Sequence, residues 1–123
     1  MSTQQKKTLV IGASDNPGRY SYMAMTRLRG KGHPVVAIGQ RCVMAGDVAI
    51  ETEKKPFEGV DTVTLYLNST RQKEYYDYIL SLHPKRIIFN PGAENDELFD
   101  LAQANGIQAL EACTLVMLST DQF

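Results

Sequence analysis

Tryptophan is absent from the 123-residue chain, cysteine and histidine occur only twice each, and positive charge is not in excess: 13 Lys and Arg stand against 14 Asp and Glu, a formal net charge of −1. Each shortage removes a class of function. A near-neutral chain carries no bulk positive field, so nucleic acid is not an expected partner. No apolar run approaches the ~20 residues of a membrane span. The polar start MSTQQKK lacks the apolar centre of a signal peptide, so the expectation is a cytoplasmic protein with no membrane partner. Cys42 and Cys113 lie far apart and form no CxxC or metal-ligand spacing; they read as free thiols, buried or half-buried. His33 and His83 each precede a proline where a strand is about to begin, and they read as loop histidines outside any metal or catalytic pattern. A chain of this length suits one domain, residues 1–123, and is too short for a dinucleotide domain with a separate substrate domain. That disfavours a complete dehydrogenase.

What is present is an alternation of apolar runs and helical periodicity. Thr8 to Ile11, closed by Gly12, reads as a strand buried on both faces. A loop to about Tyr20 leads into a helix over Ser21 to Arg29, with Ala24, Met25 and Leu28 inward and stop signals at Gly30 and Gly32. Pro34 to Ile38 is a second buried strand ending at Gly39, Val48 to Ile50 a weaker one, and Asp61 to Leu67 a third strong one. Ser69 is placed to cap a helix with Gln72 three residues on, and Tyr75, Tyr78, Ile79 and Leu82 follow at helical spacing, as core-facing residues. Arg86 to Phe89 forms a strand, Asn95 caps a helix carrying Leu98, Leu101 and Ala102 to a stop at Asn105-Gly106, and Ile107 to Leu110 forms the last strand. The tail from Cys113 to Leu118 is compatible with a short helix or an extended segment. Nearly continuous apolar strands alternating with helices imply a parallel sheet covered on both faces. The expected fold is an α/β, doubly wound, Rossmann-like three-layer sandwich of about five or six strands.

Open α/β sheets bind ligands beyond the carboxyl ends of their strands. The first loop suits a phosphate: Gly12 permits close backbone approach, Ser14 offers a hydroxyl, the following helix offers unsatisfied N–H groups, and Arg19 can add a charge-assisted bond. The alternative is a tight turn at Gly12 and Gly18 with Ser14 as a cap. A dinucleotide site would read GxGxxG with a carboxylate after the second strand. This chain instead has Gly12-x-Ser14 and then Gly39-Gln40-Arg41, which disfavours NAD. Arg41 could pair with a phosphate on an adenosine ribose, at the 2′ position in NADP or the 3′ position in coenzyme A, or stand as a solvent-facing charge. The loop is not a Walker motif, and no acidic pair follows the first strand as a receiver domain would require. The candidate nucleophiles Ser14, Cys42 and Cys113 have no histidine in the surrounding loops, so no catalytic residue is assigned.

Val10-Ile-Gly-Ala-Ser14 followed by Pro17, Arg19 and Ser21-Tyr22, together with Gly30 to His33, Gly46, Val60-Asp61, Asn90 to Asn95 and the Cys113 segment, resembles the small stand-alone CoA-binding domain proteins. Their fold is similar to the nucleotide-binding part of the succinyl-CoA synthetase alpha subunit. The resemblance spans nearly the whole chain. It implies coenzyme A or an acyl-CoA as ligand, bound without catalysis, as in a carrier or sensor. It further implies that Gly12, Ala13, Ser14, Pro17, Arg19 and Ser21 take the pyrophosphate, Gly39, Gln40 and Arg41 the adenosine end, and Asn68, Asn90, Pro91 and Gly92 the pantetheine side. The chain departs from the family pattern at Gly39-Gln40-Arg41, where Asn-Pro is usual, and at Glu111-Ala112, where Asp-Arg is usual. An NADP-binding oxidoreductase-like domain, and a regulatory or interaction subunit with a vestigial pocket and a protein partner, are the competing expectations.

Overall fold

Three four-residue stretches, TVTL, RIIF and the start of TLVIGA, are buried at every position, as strands covered on both faces must be. They form the centre of the sheet in the computed structural model, which describes residues 5–123. The strands are β1 (Thr8–Ala13), β2 (Val35–Gly39), β3 (Val43–Ala45), β4 (Val48–Glu51), β5 (Thr62–Leu65), β6 (Arg86–Phe89) and β7 (Gln108–Glu111). The helices are α1 (Tyr20–Gly30), α2 (Ser69–Gln72), α3 (Tyr76–Ser81), α4 (Asp96–Ala104) and α5 (Thr114–Ser119), with a 3₁₀ turn at Lys73–Tyr75.

Spatially the seven strands run β3-β4-β2-β1-β5-β6-β7, and every neighbouring pair is parallel except β3 with β4. Alternate residues of each strand feed two cores. Leu9, Ile11, Leu65 and Phe89 pack with Ile79 of α3 and Leu98 of α4 on one face. Val10, Ala37 and Ile50 pack with Met25 and Leu28 of α1 and Leu118 of α5 on the other. This is the α/β Rossmann-like three-layer sandwich, with strand order reversing about β1. The loops after β2 and β5 therefore diverge from either side of the loop after β1, leaving a crevice between them. Among the described residues no helix is long and apolar enough to cross a membrane.

Several expectations need correction. Among the described residues the sheet has seven strands, because the segment between Gly39 and Val48 is too short for a crossover helix, which with its loops takes at least ~10–12 residues. The chain doubles back as β3, an antiparallel edge strand joined to β4 through Gly46 at φ +62°. The cap after β5 is Asn68 rather than Ser69: its side chain accepts from Arg71 N at 2.9 Å. The helical run beyond it is broken by the 3₁₀ turn. The tail is helical, with Leu118 buried in the core shared with α1. Cys42 is exposed, not buried, and Cys113 is half-buried. His33 lies in a loop before β2, as expected, and is buried there, with its Nδ1 accepting from Lys6 N at 3.0 Å.

Candidate functional site

β1 ends in an irregularity, a register shift between Ile11 and Ala13 against β2, centred on Gly12 at φ +89°. A Cβ at Gly12 would stand 3.0 Å from the carbonyl carbon of Tyr66 and 3.1 Å from Leu67 Cδ2, so glycine answers both a left-handed backbone and a close approach. Short-range bonds then shape the loop. Ser14 Oγ accepts from Asn16 N at 3.0 Å, Asn16 Oδ1 accepts from Gly18 N at 2.9 Å, and Arg19 N donates to Asn16 O at 3.0 Å. Ser14 is therefore part of a turn and not a helix cap, and its own hydroxyl proton remains available to a ligand. Arg19 occupies the N-cap position of α1 without a side-chain cap bond, and no acidic residue lies in the first turn. The positive end of α1 thus keeps N–H groups without a side-chain acceptor, the condition under which a helix start attracts an anion.

The end of β2 closes against this loop. A Cβ on Gly39 would lie 2.3 Å from Ala13 O and 2.9 Å from Ile50 Cγ2, so only glycine lets the two segments meet. Beyond it, Arg41 Nη2 donates to Asp15 Oδ1 at 2.6 Å, an ion pair that links the β2 turn to the β1 loop. Arg41 is neither a free phosphate ligand nor an isolated surface charge in this arrangement.

On the far side, Gln72 is fully buried and ties two loops together. Its Nε2 donates to Leu67 O at 2.8 Å and to Ala93 O at 2.7 Å, while its Oε1 accepts from Asn95 Nδ2 at 2.9 Å. The result is a fixed wall containing Leu67, Arg71, Tyr75, Pro91, Gly92 and Ala93.

These segments enclose a cavity of about 610 Å³ at the carboxyl edge of the sheet. Of the candidate residues, Gly12, Ala13, Ser14, Arg19, Ser21, Gly39, Gln40, Arg41, Pro91 and Gly92 line it; Pro17, Asn68 and Asn90 do not. Pro17 is exposed on the loop, and Asn68 is occupied as the cap of α2. Asn90 is turned into the sheet: Nδ2 donates to Thr64 Oγ1 at 2.7 Å and Leu65 O at 2.9 Å, and Oδ1 accepts from Thr114 N at 2.9 Å. Both of its amide protons are used within the protein.

Lining residues that the sequence did not single out include Tyr20, Tyr66, Arg71 and Tyr75. Tyr20 is 69% exposed at the rim, a large aromatic that no core contact explains. Tyr66 carries a buried hydroxyl beside the mutually bonded Thr64 and Thr114; burial pushes its pKa up to about 12. Among the described residues three arginines, Arg19, Arg41 and Arg71, line the cavity against one carboxylate, Asp15, and neither histidine nor cysteine is in the lining. The chemistry on offer is anion binding.

The family model described as a CoA binding domain matches residues 6–119. A crystal structure of an uncharacterized protein is similar over 98% of this chain and 100% of its own, at 47% sequence identity and a TM-score of 0.95. A hypothetical protein from Pyrococcus horikoshii OT3 is 20% identical, with 95% of this chain and 84% of that one covered and a TM-score of 0.83. A protein from Thermus thermophilus is likewise 20% identical, with coverage of 97% and 91% and a TM-score of 0.80. The last two share the fold. No curated protein matches the chain.

Proposed function

The chain belongs to the CoA binding domain family, and on that premise we propose that it binds coenzyme A or an acyl-CoA in the carboxyl-edge cavity, as a one-domain cytoplasmic carrier or sensor with no chemistry of its own. The observation that carries this reading is the charge pattern of the cavity. A bound NAD needs a carboxylate at the end of β2 to accept from the ribose hydroxyls. Here that position holds Gly39-Gln40-Arg41, and the one lining carboxylate, Asp15, is already paired with Arg41. A ribose phosphate suits such a turn, because it can take over the guanidinium from Asp15 through charge-assisted bonds.

In the bound state the pyrophosphate lies along Gly12 to Arg19, receiving the Ser14 hydroxyl and the free N–H groups of α1. The 3′-phosphate meets Arg41, and the pantetheine crosses the β1–β5 crevice toward Pro91 and Gly92. The same loop residues support the likeness to the nucleotide-binding part of the succinyl-CoA synthetase alpha subunit. A non-catalytic role is supported by the pairing of the lining carboxylate Asp15 with Arg41 and by a described lining without histidine or cysteine.

Isothermal titration with CoA, dephospho-CoA and NADP tests the proposal. CoA is expected to bind about tenfold or more tighter than dephospho-CoA, the difference that one charge-assisted contact supplies. No heat from CoA overturns it. NADP shares the demand for a ribose-phosphate cation at Arg41, so tighter binding of NADP than of CoA, with turnover of a carbonyl substrate, would replace the CoA reading by an oxidoreductase-like one.

A further inference from the structure

CoA itself accounts for two of the three cavity arginines. Its pyrophosphate belongs with Arg19 at the start of α1, and its ribose phosphate with Arg41 after β2. Arg71 has no such assignment. It sits on α2, directly after β5, and β5 flanks β1 on the side opposite β2. A ligand whose adenosine end lies over β2 reaches this wall with its other end, the thioester and acyl group.

The wall is built for a charge. Among the described residues the Arg71 guanidinium forms no ion pair, and Asp15, the single carboxylate of the lining, is held by Arg41 at 2.6 Å. Tyr75, one turn further along the chain, lines the same wall. Burial, and to a lesser extent the Glu74 carboxylate, raise its pKa against the opposing effect of Arg71, so its phenol stays protonated and able to donate. The Lys54 ammonium lies 5.0 Å from the Tyr75 ring centroid and donates to the Glu74 carbonyl, so a second positive charge stands beside the ring. A neutral acyl chain here would bring apolar surface against an unpaired guanidinium and gain no hydrogen bond, whereas a carboxylate can accept two parallel bonds from it.

From this placement we infer that the ligand is a CoA thioester whose acyl group ends in a carboxylate, and that Arg71 with Tyr75 receives that carboxylate. The inference rests on the CoA reading and narrows it to one substrate class. Arg71 is exposed, and Asn68 caps α2 through the Arg71 backbone N–H, so replacing the side chain leaves the cap in place.

The test is calorimetric titration of the wild-type protein and Arg71→Gln with CoA and with two pairs of thioesters matched in length: malonyl-CoA against propionyl-CoA, and glutaryl-CoA against valeryl-CoA. In at least one pair the carboxylated member should bind the wild type about tenfold tighter. In Arg71→Gln that difference should vanish while the affinities for CoA and the neutral thioesters stay the same. Equal binding within both pairs overturns the inference and leaves CoA binding standing. A loss in Arg71→Gln that is uniform across CoA and all four thioesters also overturns it, by assigning Arg71 to a phosphate. Absence of heat from CoA and every thioester defeats the CoA reading itself, a result distinct from both.

Discussion

At the scale of single residues, two glycines and one ion pair set the shape and charge of the cavity. Gly39 meets Ala13 O so closely that Gly39→Ala must separate β2 from the phosphate-type loop. Overpacking of this kind costs typically ~1–3 kcal/mol. The variant should show that loss in urea unfolding together with weakened CoA binding. Gly30→Ala is the control: nothing lies within 4 Å of its Cβ position, at the end of α1, so stability should hold or rise by a few tenths of a kcal/mol to ~1 kcal/mol. The Asp15–Arg41 pair is largely exposed on the Arg41 side, at 68%, and such pairs add ~0–1 kcal/mol to stability. Its effect on a ligand should be larger. Asp15→Asn removes the competing negative charge while keeping the shape, so titration should show CoA bound several-fold tighter with the melting temperature nearly unchanged. Arg41→Gln should bring CoA down to the affinity of dephospho-CoA. An unchanged preference for CoA in Arg41→Gln would show that the ribose phosphate is held elsewhere.

At the scale of elements, the far wall depends on how α4 begins. Asn95 Oδ1 accepts from Glu97 N at 3.1 Å and Leu98 N at 3.3 Å, while its Nδ2 donates to Gln72 Oε1 and to Tyr76 Oη at 2.8 Å. One side chain thus caps α4 and fixes the glutamine that spans Leu67 and Ala93. Asn95→Ala should lose ~1 kcal/mol for the cap and ~1–3 kcal/mol for the buried Gln72 acceptor left unsatisfied, read from chemical denaturation. Asn68→Ala, at an exposed cap, should lose only the first of these. The Asn95 cap was legible in the sequence because a cap is a local event, fixed by a few neighbouring residues. So was the Gly12-to-Arg19 loop, whose shaping bonds all span two or three residues. The far wall was legible only at Pro91 and Gly92. Helical periodicity assigns Tyr75 to the core, and it does pack there, but the 3₁₀ turn at Lys73–Tyr75 also brings it to the cavity together with Arg71. Asn90 sits in the expected loop, yet its orientation is decided by Thr64 and Thr114, far away in sequence. β3 leaves no mark in the sequence for a related reason: a three-residue edge strand exists only because β4 is there to pair with it.

At the scale of the whole molecule, the two edges of the sheet are chemically separate, and this makes pH a means of testing one without the other. The cavity lies at the carboxyl ends of the strands. At the amino ends, His33 packs between the segment before β1 and the ring of Phe123, 5.1 Å away, with Lys31, Arg86 and Lys6 as neighbouring cations and Asp61 as the opposing charge. Its Nδ1 must be unprotonated to accept from Lys6 N. Burial first, then Lys6, Arg86 and Lys31, hold its pKa below the ordinary 6.5 in the folded state, against a smaller upward pull from Asp61. The unfolded chain therefore binds the proton more readily than the folded one. Stability is complete above about pH 6.5 and declines as the pH falls below it, levelling once the pH passes the lowered folded value. Urea unfolding at pH 7.5, 6.5 and 5.5 should follow that slope. In His33→Asn, whose amide oxygen can replace Nδ1 as acceptor but does not titrate, the slope should flatten to whatever the carboxylates contribute. CoA affinity at pH 7.5 should be the same in His33→Asn and the wild type, because His33 stands at the opposite edge from the arginines. An undiminished slope in the variant would shift the acid sensitivity to other groups, and a changed affinity would mean that the two edges are mechanically coupled through β1 and β2.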